Sequence, residues 1–220
     1  MISSVISVVV ADDEKLVRAG IRGVLETAQD IKVVAEAATG SEALRLVHQH
    51  RPDVLLLDIH MPDGDGLATA EMVSKHVPST AVAMLTTFTH DRYVERALHS
   101  GAVGFLLKDM EPRALIDAVR SIAAGDAFLA PQVTRSVLTT FRERDPRRAN
   151  RARTRLAALS DLERKVLRLL AQGLSNAEIA RSCHMSEGSV KAHVSRMLVK
   201  LDCANRVQLA MIAYDAEDNY

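Results

Sequence analysis

Three carboxylates and one amine stand where short apolar runs end. Ile6–Ala11 runs into Asp12 and Asp13, Val54–Leu57 into Asp58, and Phe105–Leu107 into Lys108. Apolar runs this short, separated by stretches of helical period, read as buried parallel strands. In an open parallel α/β sheet, ligands bind outside the carboxyl ends of the strands. The four side chains are therefore expected to meet at one edge. Carboxylates about 4 Å apart repel by about 4 kcal/mol per pair at an effective dielectric of about 20. Such crowding calls for a cation, so a divalent metal and phosphate chemistry are the expectation. A lone aspartate at a strand end is commonly just a turn former. The joint placement is what points to a site.

The elements that must position these groups alternate over the first 125 residues. Strands are predicted at Ile6–Ala11, Ile31–Ala37, Val54–Asp58, Ala81–Thr86 and Phe105–Leu107. Helices are predicted at Glu14–Ala28, Ser41–His50, Leu67–His76, Asp91–Ser100 and Pro112–Ala124, with a Pro/Gly loop after Asp58. Pro112 suits a first helical turn and Gly125 a stop. Five βα units predict a five-stranded, doubly wound parallel sheet of the α/β class.

Residues 126–155 break the pattern. A short helix fits Val133–Phe141, and Arg142–Arg155 (RERDPRRANRARTR), polar and basic with Pro146, reads as a flexible linker. Residues 156–220 are helical in period, predicting an all-α domain of four helices. Ser160 with Glu163 and Ser175 with Glu178 make capping boxes, and Asn205 with Gln208 a weaker one. Gly173 marks a stop and Ser186 opens Glu187–Leu201. The second and third of these helices lie only a few residues apart, as a helix-turn-helix requires.

Net charge is zero over 220 residues, yet the halves differ. Residues 1–130 carry 18 acidic and 12 basic residues (−6), and residues 131–220 carry 10 and 16 (+6). An acidic module joined to one that meets a polyanion is the expectation. Cys183 and Cys203 lack metal-ligand spacing and read as buried thiols. The apolar N-terminus lacks basic residues and reads as a strand rather than a signal peptide. No run reaches the roughly 18 apolar residues of a membrane span. A cytoplasmic location with reduced thiols is expected.

Taken with Thr86 and the loop Met61–Gly66, the stretches VVVADDE, LLLDIHMPDGDG, LTTF and GFLLKD resemble the receiver domain of bacterial response regulators over residues 5–125. The resemblance implies a flavodoxin-like fold with Asp58 as phosphoacceptor, a carboxylate nucleophile taking a phosphoryl group from a sensor histidine kinase. It implies Mg²⁺ held by Asp13, Asp58 and the His60 backbone carbonyl, with Asp12 acting mainly through a metal-bound water. Lys108 and Thr86 would contact the phosphoryl oxygens, and Phe105 would turn inward as Thr86 moves. Asp109 stands where many receivers have proline.

At 100° per residue, Val190, Val194, Met197, Leu198 and Leu201 share one face of the helix from Glu187. Lys191, Ala192, Ser195, Arg196 and Val199 share the other, flanked by His193 and Lys200. The stretches LSDLERKVLRLLAQGLSNAEIA, SEGSVKAHVSRMLVKL and NRVQLA resemble the LuxR-type helix-turn-helix over residues 156–214. Asp161-Leu162 replaces the usual Pro-Arg, and Ser182-Cys183 departs from the more typical pairing with leucine. The two halves together look like the NarL/FixJ family. That implies base-facing Lys191, Ala192 and Ser195, and phosphate contacts from His193, Arg196 and Lys200, on promoter double-stranded DNA.

Beyond Asn205 the last helix is apolar nearly all round. Val207, Leu209, Ala210 and Met211 would exceed what so small a module can bury, so a homodimer through this helix is expected, with packing on the receiver as the competing cover. The leading expectation is a phosphorylation-controlled transcription regulator with no enzymatic activity beyond its own Mg²⁺-dependent phosphorylation and dephosphorylation at Asp58. A regulator that binds DNA without phosphate is one alternative. An aspartate-nucleophile phosphohydrolase is another, but it would need a general-acid Asp where His60 stands.

Overall fold

The computed structural model describes residues 5–62, 64–87, 96, 100–129 and 146–216. The chain divides into two compact units, residues 1–137 and 138–220.

The first unit alternates strand and helix. Its elements are β1 (Ile6–Ala11), α1 (Lys15–Leu25), β2 (Ile31–Ala37), α2 (Gly40–His50), β3 (Val54–Asp58), β4 (His60–Met61), β5 (Gly64–Asp65), α3 (Gly66–His76), β6 (Ala81–Thr86), β7 (Gly104–Leu107), α4 (Pro112–Ala123) and β8 (Phe128–Leu129). The main sheet runs β2-β1-β3-β6-β7-β8, every pair parallel. Strands buried on both faces need continuous apolar runs. Val8–Ala11 and Val54–Leu57 supply them, with all eight residues inaccessible to solvent. One face packs Val8, Val10, Leu56, Leu85 and Leu106 against Ile21 and Leu25 of α1 and Leu115, Val119 and Ile122 of α4. Strand order reverses direction at β1/β3, the switch point where such sheets bind ligands. Two features go beyond the sequence reading. The short edge strand β8 adds to the five predicted, and the loop after Asp58 folds into the antiparallel pair β4–β5. The predicted helices Asp91–Ser100 and Val133–Phe141 lie outside the described residues, apart from Arg96 and Ser100.

The second unit comprises α5 (Pro146–Leu156), α6 (Asp161–Ala171), α7 (Asn176–Cys183), α8 (Glu187–Lys200) and α9 (Arg206–Ala216). The capping boxes of Ser160/Glu163 and Ser175/Glu178 both close, with each glutamate accepting from the serine N–H at 2.9 and 2.8 Å. At α9 the Asn205 side chain caps the Gln208 N–H, but Gln208 turns back one residue earlier, to Ala204. Only residues 184–186 separate α7 from α8, and His184 turns the chain with φ +53°. Val190, Val194, Met197 and Leu201 close the core beneath α8.

The basic stretch read as a flexible linker is α5 from Pro146 onward. Pro146 opens it, where a missing N–H costs nothing. Ala152 and Leu156, one turn apart, join the core of the second unit. This helix packs on α9. Together α5 and α6 cover part of the apolar surface of the last helix within the chain. Of the four residues expected at a dimer surface, Leu209 is fully enclosed and Val207 is 8% exposed, while Ala210 and Met211 stay partly exposed.

Two outcomes follow from this packing. Leu209→Ala should lower the stability of the second unit by about 2–5 kcal/mol, read by thermal melting, since it opens a cavity at an enclosed site. Glu163, only 3% exposed, is held at about 2 against an ordinary 4.5 by the Lys200 ammonium and the Ser160 N–H. A depressed carboxyl contributes stability in full above its unfolded value and loses it as pH falls through the folded one. The second unit should therefore weaken between about pH 4.5 and about pH 2. Glu163→Gln should flatten that dependence, by on the order of 1 kcal/mol because Lys200 is solvated and the pair is screened.

Candidate functional site

The switch point brings the predicted quartet together. Asp12 follows β1 with its N–H bonded to the Ala37 carbonyl of β2 at 3.1 Å, and Asp58 ends β3 beside it. Lys108 follows β7, and its N–H donates to the Thr86 carbonyl at 2.9 Å. The ammonium lies 2.7 Å from Asp12 Oδ2 and 2.9 Å from Asp58 Oδ2. It donates an aligned hydrogen bond to Asp58, whereas buried Asp12 Oδ2 accepts none and is held by charge. Asp12, Asp13 and Asp58 each offer an oxygen within 4.8 Å of the others. Asp12 and Asp58 are buried and Asp13 stands exposed at the rim. An under-satisfied carboxylate oxygen among three hard donors fits a small oxygen-seeking cation.

Electrostatics follow from that placement. Burial pushes the Asp58 carboxyl upward, partly offset by the hydrogen bond and charge of Lys108. Burial pulls the Lys108 ammonium down, but its close pairing with the Asp12 and Asp58 carboxylates outweighs this and the net direction is up. The amine stays charged, and one ammonium ties together the ends of β1, β3 and β7. Thr86 is buried at the end of β6. Phe105, paired in register with Met84, is enclosed at 1% exposure. His60 is exposed, and its N–H donates to Asp58 Oδ1 at 3.3 Å.

Two positioning residues were not legible in the sequence. Arg18, in the first turns of α1, donates from Nη1 to the Asp12 carbonyl at 2.6 Å and the Asp13 carbonyl at 3.2 Å. It fixes the backbone that carries both acids, and nothing in its sequence context marks that role. Gly66 opens α3, and its N–H bonds the Ile59 carbonyl at 3.0 Å. A Cβ there would lie inside the envelope of the Asp58 carbonyl oxygen. The glycine therefore lets the helix start against the strand that carries Asp58.

The second candidate surface is α8. Lys191, Ala192, Ser195 and Arg196 are exposed on one face, with Val199 at 84% exposure. His193 is half-buried on the flank and accepts from Arg196 Nη2 at 3.0 Å through Nδ1. Lys200 is committed elsewhere: its ammonium donates to both Glu163 oxygens, at 2.9 and 2.8 Å. The pair clamps the end of α8 to the start of α6.

Gly66→Ala should displace the Asp58 loop. The expected cost is about 1–3 kcal/mol in thermal stability. It should be joined by a loss of divalent-cation binding in calorimetry, while Gly20→Ala, in open space within α1, should leave cation binding unchanged and raise stability by about 0.5–1 kcal/mol.

Comparison with known proteins agrees with this geometry. The response regulator receiver domain family matches residues 8–120, and the bacterial regulatory proteins of the luxR family match residues 157–213. The response regulator protein VraR of Staphylococcus aureus is 37% identical over 209 residues, spanning 95% of this chain and 96% of its own. The solved response regulator ChrA of a heme-sensing two-component system is 33% identical, with TM-score 0.54 over 97% of this chain and 98% of that one. A structure of two RcsB dimers bound to parallel DNAs is 26% identical, with TM-score 0.56 over 96% and 98%. With an acid-rich pocket at the switch point in one unit and a helix-turn-helix in the other, the chain belongs to the NarL/FixJ family of bacterial response regulators, a receiver domain joined to a LuxR-type DNA-binding domain.

Proposed function

We propose that Asp58 accepts a phosphoryl group from a sensor histidine kinase and that this controls promoter binding by the second unit. The observation that carries the reading is the Lys108 ammonium, 2.9 Å from Asp58 Oδ2. It stands where it can meet the oxygens of an arriving phosphoryl group. An Asp58 oxygen attacks phosphorus, the bond from phosphorus to the kinase imidazole nitrogen breaks, and the imidazole leaves. Catalysis of such a transfer is mostly positioning and charge neutralisation. Asp12, Asp13, Asp58 and the His60 carbonyl would hold Mg²⁺, which supplies positive charge to the phosphoryl oxygens. Thr86 would donate its hydroxyl to the same group. Phe105, enclosed in the core, would pack there and follow Thr86 inward as the hydroxyl moves toward the phosphoryl group. The chemistry would extend no further than gain and loss of this phosphoryl group.

On the DNA side, exposure supports Lys191, Ala192 and Ser195 as base-facing and His193 and Arg196 as backbone contacts. The ion pair to Glu163 leaves Lys200 a structural role. The RcsB structure is described as dimers on DNA, which supports a dimeric DNA-bound form. With Leu209 enclosed, that contact would not run through the buried face of α9. The domain limits we adopt are a receiver over residues 1–125 and a DNA-binding unit that takes in α5.

Incubation with acetyl phosphate and Mg²⁺ should give a hydroxylamine-sensitive acyl phosphate that Asp58→Asn lacks. Phosphorylation of the unsubstituted chain should raise its affinity for its target promoter. Equal affinity with and without the phosphoryl group would falsify the control.

A further inference from the structure

Helix α5 holds five arginines and no acidic residue in eleven positions. Like charges three and four residues apart on a helix each cost a few tenths of a kcal/mol. A local rule broken so heavily, without a compensating acidic partner within the helix, points outward to a polyanion. The helix is nonetheless fixed. Ala152 and Leu156 anchor it in the core, and the Arg155 guanidinium donates to the Asp202 carbonyl at 3.4 Å. Asp202 lies two residues beyond α8, so the end of α5 meets the end of the helix whose outer face is offered to DNA. In helix-turn-helix docking, the first residues of that helix read base edges and flanking elements run along the phosphates. Lys200, at the same end, is neutralised by Glu163. The exposed Arg151 and Arg155 of α5 add positive charge near that end.

We propose that α5 is a second DNA contact, gripping the phosphate backbone beside the end of α8 through the flank that carries Arg151 and Arg155. The inference rests on the DNA-binding reading and extends it to a segment outside the matched helix-turn-helix. Arg151 and Arg155, one turn apart, share this flank, whereas Arg153 lies about 200° around from Arg151. Both Arg151 and Arg153 are exposed. The competing occupant is the acidic first unit of the same chain, residues 1–130 having a net charge of −6.

The test is fluorescence polarisation of the full chain on a mixed-sequence duplex of about 30 base pairs, across a salt series; each phosphate contact contributes about 0.9 to the slope of log affinity against log salt. Arg151→Ala should lower the slope by about 0.9 per bound module and cut affinity roughly eightfold at about 0.1 M salt. Arg151→Lys should restore the slope, and Arg153→Ala should change it less. Circular dichroism melting confirms that the exposed substitutions leave the fold intact. An unchanged slope in Arg151→Ala overturns the proposal. Equal losses in both alanine variants also overturn it, since only a diffuse charge effect treats the two flanks alike. Higher affinity in Arg151→Ala would assign the flank to the acidic unit instead. If the unsubstituted chain shows no salt-dependent duplex binding, the DNA reading itself fails, a result distinct from the other three.

Discussion

One ammonium between two buried carboxylates governs the first unit. Asp12 and Asp58 end adjacent strands at the point where the sheet reverses its order, so their charges are forced together by topology. Without Lys108 the repulsion would have to be relieved by protonation or by splaying β1 from β3. The lysine answers it from the end of β7, which makes the charge balance a long-range contact across the sheet. The balance is incomplete: Asp12, Asp13 and Asp58 crowd one ammonium, Glu14 lies 3.9 Å from it as well, and Asp12 Oδ2 keeps unused capacity. A pocket stable while short of positive charge is prepared for ligands that bring or redistribute charge. Arg18 and Gly66 serve the same arrangement from behind, one by holding the carbonyls of the acidic pair and the other by letting α3 start against Asp58.

The strands were readable because burial on both faces demands unbroken apolar runs and charged stops. Four of the five predicted strands have the predicted bounds, and β7 gains only Gly104. The quartet was readable for the same reason, since strand ends converge by topology. Features set by tertiary contact were not readable. Two residues suffice for β8, too few to carry a period. The arginine-rich stretch with Pro146 has the composition of a linker, and only Ala152 and Leu156 hint at a face. Their value depends on α9 being there to receive them. With α5 in place, part of the apolar surface of α9 is covered within the chain, Leu209 completely. Arg18, Gly66 and the Glu163–Lys200 clamp act through partners 5 to 37 residues away, and no spacing rule announces them.

The division of labour along α8 has a consequence for how such a protein can diversify. Val190, Val194 and Met197 hold the helix in place, and Lys200 locks its end to Glu163. Lys191, Ala192, Ser195 and Arg196 contribute nothing to the core. Substitutions at such surface positions typically change stability by less than about 0.5 kcal/mol. On the proposed DNA reading, this face could therefore be recoded, residue by residue, toward a different operator while the scaffold and the acidic site stay as they are. One inner framework would then suit many target sequences, since each change of the outer face leaves the packing beneath it intact.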